Sequence, residues 1–362
     1  MNRKIAAFLI LFTLLIIVPS HSFAQAPTEQ KVEGVITKIL EEKEVQIQDR
    51  KQRYQKLEVV VTSPSKKGEK LVIENGSIAS SNIPKYQVGD KIVATIITGP
   101  GENNAVYISD YVRRTPLYIL FFIFILLTVV IAKKRGIASL LGMAVSFFVI
   151  FQFILPQILI GNNPIMIAIF ASAFLIPLSF SLSHGLNKKT LAAVIGTLIS
   201  LVITGIIAYI FVEASKLTGF SSEEASFLEA AKQGTVNIKG LLLAGIIVSL
   251  TGILDDITIS QAAIVYQLKE ANSRFNFKDL YAKAMHVGED HIASVVNTLV
   301  LVYTGAAMPL LLLFINTPHP FTEIINYEFL AEEIVRTLVA SIGLILAVPI
   351  TTFIACIVAK DN

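Results

Sequence analysis

Within an apolar C-terminal part of the chain, the stretch from Gly252 to Gly305 gathers carboxylates, imidazoles and amides: Asp255, Asp256, Gln261, His286, Glu289, Asp290, His291 and Asn297. Carboxylates hold protons or cations and imidazole titrates near neutrality, so these residue types beside membrane-length apolar runs point to a proton relay or a cation site. His286, Asp290, Ala293, Asn297 and Thr304 follow at steps of 4, 3, 4 and 7 residues, which puts them on one face of an α-helix. Glu289 and His291 flank that face. An unpaired amide or carboxylate turned toward lipid is costly, so the face must meet protein or water.

A plainer reading competes with this one. Asp255 and Asp256 then cap helices, the His-rich segment is a wet cytoplasmic turn, and Asn297 bonds a neighbouring helix. No HExxH or comparably specific ligand spacing is present, so the identity of any metal stays unknown and no cofactor is implied. Ser260 lies four residues from Asp256, a spacing natural to any helix, and no nucleophile and base stand out as a pair. An enzyme is therefore the third choice. His184 reads as a lone histidine at a helix end, and Cys356, the single cysteine, as core packing without a disulfide.

The elements that position these residues must be membrane spans. With 54 % hydrophobic and 16 % charged residues, the 362-residue chain is too apolar for a soluble protein, and its net charge of +3 gives no sign of a nucleic-acid partner. Spans are expected near 115–132, 137–157, 164–183, 191–212, 239–255, 292–315 and 335–357, seven in all. A continuous helix from Gly240 to Ala271 would run about 48 Å against a hydrocarbon layer of about 30 Å. A break is therefore expected at Gly252, Asp255 and Asp256, with residues 256–291 as a cytoplasmic connection. Ser221 and Glu224 read as a capping box ahead of a short interfacial helix, and Glu332, Glu333 and Arg336 as solvated at the outer surface.

The N-terminus reads differently. Arg3 and Lys4, an apolar stretch from Ile5 to Val18 and then Ala24-Gln25-Ala26 match a secretory signal peptide over residues 1–26. Residues 27–114 carry 14 Lys and Arg against 12 Asp and Glu and alternate with a period near two at 32–36, 44–47, 57–61, 71–73 and 92–97. Turn signals at Gly68, Asn75-Gly76 and Gly89 separate them. A small extracytoplasmic all-β module resembling an OB barrel is expected, and with few aromatics to stack on, a protein partner suits it better than nucleic acid. An external N-terminus and seven spans put the C-terminus in the cytoplasm. That parity leaves ten basic residues at inner connections, from Lys133 to Lys360, against six at outer edges, in keeping with the positive-inside rule.

The run Gly252-Ile253-Leu254-Asp255-Asp256-Ile257-Thr258-Ile259-Ser260-Gln261, with His286 to Ser294 and Asn297-Thr298-Leu299, resembles the YibE/F family of bacterial multi-pass membrane proteins over about residues 118–357. The resemblance implies a bacterial cell membrane and carries over no substrate or catalytic residue. The sequence thus predicts an α-helical polytopic bundle of about seven spans (115–362) behind the β module. Its leading function is a permease or ion-coupled transporter in the lipid bilayer, with a polar site at the cytoplasmic side of spans five and six. The alternative is a non-transporting receptor or assembly scaffold whose β module binds a partner. The oligomeric state is left open.

Overall fold

The computed structural model describes residues 29–47, 50–79, 83–98, 104–315 and 320–360, so the expected signal peptide at 1–26 lies outside the described residues. Two compact units emerge, one ending at Leu127 and the other starting at Thr128.

The first unit contains five antiparallel strands: β1 (Glu29–Ile47), β2 (Arg50–Val61), β3 (Lys70–Asn75), β4 (Lys91–Thr98) and β5 (Asn104–Tyr111), in the order β3-β2-β1-β4-β5. Alternation decides what is buried: Val32 and Ile36 on β1, Leu57, Val59 and Val61 on β2, Leu71 and Ile73 on β3, and Ile92, Ala94 and Ile96 on β4 form one core. The runs at 32–36 and 44–47 prove to be one strand of 19 residues, because β1 continues past its pairing with β4 as a hairpin with β2. Strand β5 was not anticipated. Register shifts in β1 after Ile36 and Ile39 accompany the curl of the sheet into a half-barrel, with β3 and β5 facing each other across a cleft of about 670 Å³. Gln55, wholly buried, closes one end by donating to the Tyr86 carbonyl at 3.0 Å and accepting from the Tyr86 amide at 2.9 Å.

The helices follow. They are α1 (Arg114–Val149), α2 (Leu155–Leu159), α3 (Pro164–His184), α4 (Lys188–Ala214), α5 (Glu223–Lys232), α6 (Ile238–Ala271), α7 (Phe277–Ala306), α8 (Met308–Ile315), α9 (Phe321–Ile324) and α10 (Glu328–Lys360). Among the described residues five helical runs are long and apolar enough to cross a membrane, or six if the bent pair α7 and α8 counts as one span. The seven expected spans therefore reduce to five or six. The difference arises at Arg114–Leu159, a single apolar run of 46 residues.

Asparagine side chains start four of these helices. Asn163, Asn187, Asn237 and Asn276 each accept a hydrogen bond from a backbone N–H of the first turn of α3, α4, α6 and α7. Pro309 explains the 69° bend between α7 and α8, since it has no N–H to give the Gly305 carbonyl and its ring crowds that turn. Helices α4, α6, α7 and α10 form the main core, around Leu250, Leu254, Ala262, Ala284, Leu344 and Ala347.

Three local expectations need correction. Helix α6 runs unbroken through Gly252, Asp255 and Asp256, because Ile246, Ile247, Leu250, Leu254 and Ile257 keep one side of it packed and outweigh the cost of a single glycine. At about 51 Å it exceeds the hydrocarbon thickness by extension, not by breaking. Ser222 and not Ser221 caps α5, accepting from the Ala225 N–H at 3.2 Å. Ser221 instead donates to Glu332, which is 7 % exposed and bonded to Arg336 at 2.8 Å, so this acidic residue is buried and bridged where a solvated one was expected.

Candidate functional site

One face of α6 carries Leu241, Gly245, Ser249, Gly252, Asp255, Asp256 and Ile259, at helical spacing. Its small residues fill little space, and a Cβ added at Gly245 or at Gly252 would meet no atom within 4 Å. From Gly245 to Asp256 the face stays open while the opposite side is buried, and Ile259 closes it at one end.

Two clefts lie against this face. The first, about 400 Å³, is lined by Leu241, Gly245 and Ser249 of α6, by Ser222 and Leu228, and by Tyr303, Glu332 and Arg336. The second, about 580 Å³, is lined by Asp255, Asp256 and Ile259, by Ser179, Ser183 and His184 of α3, and by Arg135, Ser139 and Ser146 of α1. Between them the Thr251 hydroxyl donates to the Ser172 hydroxyl at 2.9 Å, fixing α6 to α3. Ser249 and Asp255 are six residues apart, about 9 Å along the axis.

The second cleft owes its shape to α1. Lys133 adopts φ 51° and ψ −127°, which interrupts the helix. Just beyond, Gly136 lies so close to the Thr128 carbonyl that a Cβ would fall 2.3 Å from its oxygen. At the far end of α1 a π-helical segment, Ile150–Ile154, leads into α2. Chemically, the cleft offers two carboxylates, an imidazole, a guanidinium and several hydroxyls. That set suits binding and release of a proton or a small cation.

The eight residues singled out in the sequence separate onto three surfaces. Asp255 and Asp256 line the second cleft, with Asp255 the more buried of the two. Gln261, wholly buried, faces α7 and α10, where its amide donates to the Ala284 carbonyl at 2.9 Å and to the Thr352 hydroxyl at 2.7 Å. His286, Glu289, Asp290 and Asn297 lie on the exposed face of α7, opposite Ala284, Gly288 and Leu299, while His291 is half-buried at its margin. The His286 imidazole approaches its helix neighbour Glu289 at 3.9 Å, with 82 % of its side chain exposed. The acidic pair of α6 thus meets α1 and α3 and not the α7 stripe. Among the described residues no group of three or more His, Cys, Asp or Glu is arranged to hold a metal ion.

Sequence reasoning missed Arg135, His184 and Ser249 as lining residues. The available signal was the open helix face itself, visible as Gly245, Ser249, Gly252, Asp256 at steps of 4, 3 and 4.

No curated protein and no solved structure matches the chain. A family model described as YibE/F-like protein matches residues 120–361, which takes in the apolar helices and both clefts. With more than half of its length matched in this way, the chain belongs to the YibE/F-like family.

Proposed function

We propose that this membrane protein is a permease or ion-coupled transporter whose path follows the open face of α6, with Asp255 and Asp256 binding a proton or small cation. The observation that carries the reading is the presence of two clefts on one face of one helix, separated by about 9 Å. A path alternately open to each side needs such a pair with a thin barrier between. Thr251 and Gly252 stand at that barrier, where a shift of one turn would join or part the clefts. Arg135 supplies a countercharge beside the carboxylates, and His184 a group that exchanges protons at the cleft. The reading assigns no enzymatic reaction.

The same proposal includes seven spans, a cleaved signal peptide at 1–26, an extracytoplasmic module over 27–114 and a cytoplasmic C-terminus. The interruption at Lys133 supports counting Arg114–Leu159 as two spans, and joining α7 to α8 then gives seven. Arg135, His184 and Asp256 share one cleft, in keeping with the inner end that the positive-inside rule gives them.

The test uses purified protein in liposomes with a trapped pH-sensitive dye, under imposed Na⁺ or K⁺ gradients. A cation-driven pH change is expected with the native protein and is lost in Asp255→Asn/Asp256→Asn. Equal traces from the native protein, the double variant and empty liposomes would overturn the reading.

A receptor or scaffold role has one observation in its favour. Strands β3 and β5 are the edges of the half-barrel and flank a cleft of about 670 Å³, a place where an added strand from a protein partner would complete the sheet. That role predicts a copurifying protein lost on deletion of residues 27–112, with no flux at all.

A further inference from the structure

The exposed face of α7 is at odds with its setting. Helix α7 makes one apolar span if it is joined to α8, yet Ala282, His286, Asp290, Ala293, Asn297 and Thr304 run along its exposed side, with Leu301 among them, and its packed side is opposite. Asn297 lies within the apolar stretch that runs from Ile292 to Ile315, so a span over that stretch carries its amide into the hydrocarbon layer. Lipid offers that amide no partner. Residues 117–132 of the same chain offer only the hydroxyls of Tyr118 and Thr128, with no amide and no charge to answer a stripe that contains both.

We infer that this face of α7 is the interface of a symmetric dimer, covered by the same face of a second copy of the chain. The face is self-complementary. Two copies inserted in the same direction are related by a two-fold axis along the membrane normal, so α7 meets its counterpart in parallel and each residue near the axis lies opposite itself. An amide is both donor and acceptor, so Asn297 satisfies the partner's Asn297. His286 lies one turn from Glu289 and Asp290, so each like pair that meets across the axis, imidazole on imidazole and carboxylate on carboxylate, has the opposite type one turn away on the partner. Ala282 and Ala293, on the same line, permit close approach of the two backbones. A face of uniform charge, or one with donors alone, would not complete itself in this way.

The dimer does not depend on the transport path, because the α6 face and the α7 stripe are separate surfaces. The test pairs two measurements. In membranes, single cysteines at Ala293→Cys and Asn297→Cys in a Cys356→Ala background are expected to give a band of twice the chain mass under mild oxidation. Val202→Cys, on an α4 position that is 60 % exposed, is the collision control and is expected to give none. Light scattering on the otherwise native protein in mild detergent is expected to read two chains, and Asn297→Leu to weaken the association at least tenfold. The inference is overturned if both cysteines fail to crosslink in inserted protein, if Val202→Cys crosslinks as readily, or if the native protein scatters as a single chain. A crosslink from Asn297→Cys to Ile123→Cys within one chain would overturn it equally, by giving the face to the first span.

Discussion

The side-chain amide of Gln261 donates to the Thr352 hydroxyl at 2.7 Å, so one residue of α6 ties that helix to α10 while the same nitrogen reaches the Ala284 carbonyl of α7. Opposite it, Gly288 leaves no room for a Cβ, which would fall 2.5 Å from Val348 Cγ1. Gln261→Leu is expected to lower stability by about 1–3 kcal/mol through lost hydrogen bonds. Flux per folded molecule should stay unchanged, since the side chain faces away from the α6 clefts. Thermal unfolding in detergent and liposome flux, measured on the same sample, check both parts.

Two glycines should respond in opposite ways to the same substitution. Gly196 would place a Cβ 2.4 Å from Thr351 Oγ1 and 3.2 Å from Thr351 Cα, so Gly196→Ala is expected to destabilise by about 1–3 kcal/mol. Gly252 has open space, so Gly252→Ala should be neutral or stabilise by up to about 1 kcal/mol. Gly252→Leu should then fold normally and reduce flux by filling the barrier between the clefts. Melting curves separate the first pair, and flux tests the last.

Glu332 accepts from Ser221 and Arg336, and Glu328 accepts from the Thr218 hydroxyl at 2.8 Å and the Gly219 N–H at 3.0 Å, so α10 holds the 218–221 loop at two points one turn apart. Glu332→Ala leaves Arg336 with Glu333 alone, at 3.2 Å, and is expected to cost about 3 kcal/mol. Hydrogen exchange at Thr218 to Ser222 should rise in this variant and stay low in Glu333→Ala.

Burial pushes the Tyr86 phenol up to about 12 from its ordinary 10. A group whose pKa is raised by folding supports the fold while protonated, so its contribution is whole below pH 10 and is lost between pH 10 and 12. Alkaline titration of the native protein should therefore weaken the β unit over that window. Tyr86→Phe should reduce this pH dependence, as followed by strand circular dichroism.

Periodicity in the sequence located faces correctly but not what they meet. The α7 stripe at 286, 290, 293, 297 and 304 is one face of a helix, as its spacing requires. That it turns away from Asp256 depends on how α7 packs through Ala284 and Gly288, and single-helix spacing holds no such information. Length arithmetic likewise required an interruption or an overhang in α6, and both satisfy it. The interruption occurs at Lys133 in α1, with no proline to announce it, while α6 stays whole because its buried side is continuous. In the β unit the alternation at 32–36 and 44–47 identified strand correctly, but the exposed residues between those runs hid that they form one strand. The asparagine caps at 163, 187, 237 and 276 are legible in the sequence, each standing just ahead of an apolar run or a helical turn.

On the function proposed, the face of α6 from Gly245 to Asp256 is a solvated path between two clefts. Cysteines placed singly at 245, 249, 252 and 256, and at 243, 246, 250 and 254 as controls, should be probed with a membrane-impermeant thiol reagent from each side in a Cys356→Ala background. The first set is then expected to label, with 245 and 249 reached from one side and 256 from the other, and the second set to be protected. Equal protection of both sets, or labelling that ignores the helix face, would contradict the proposed path.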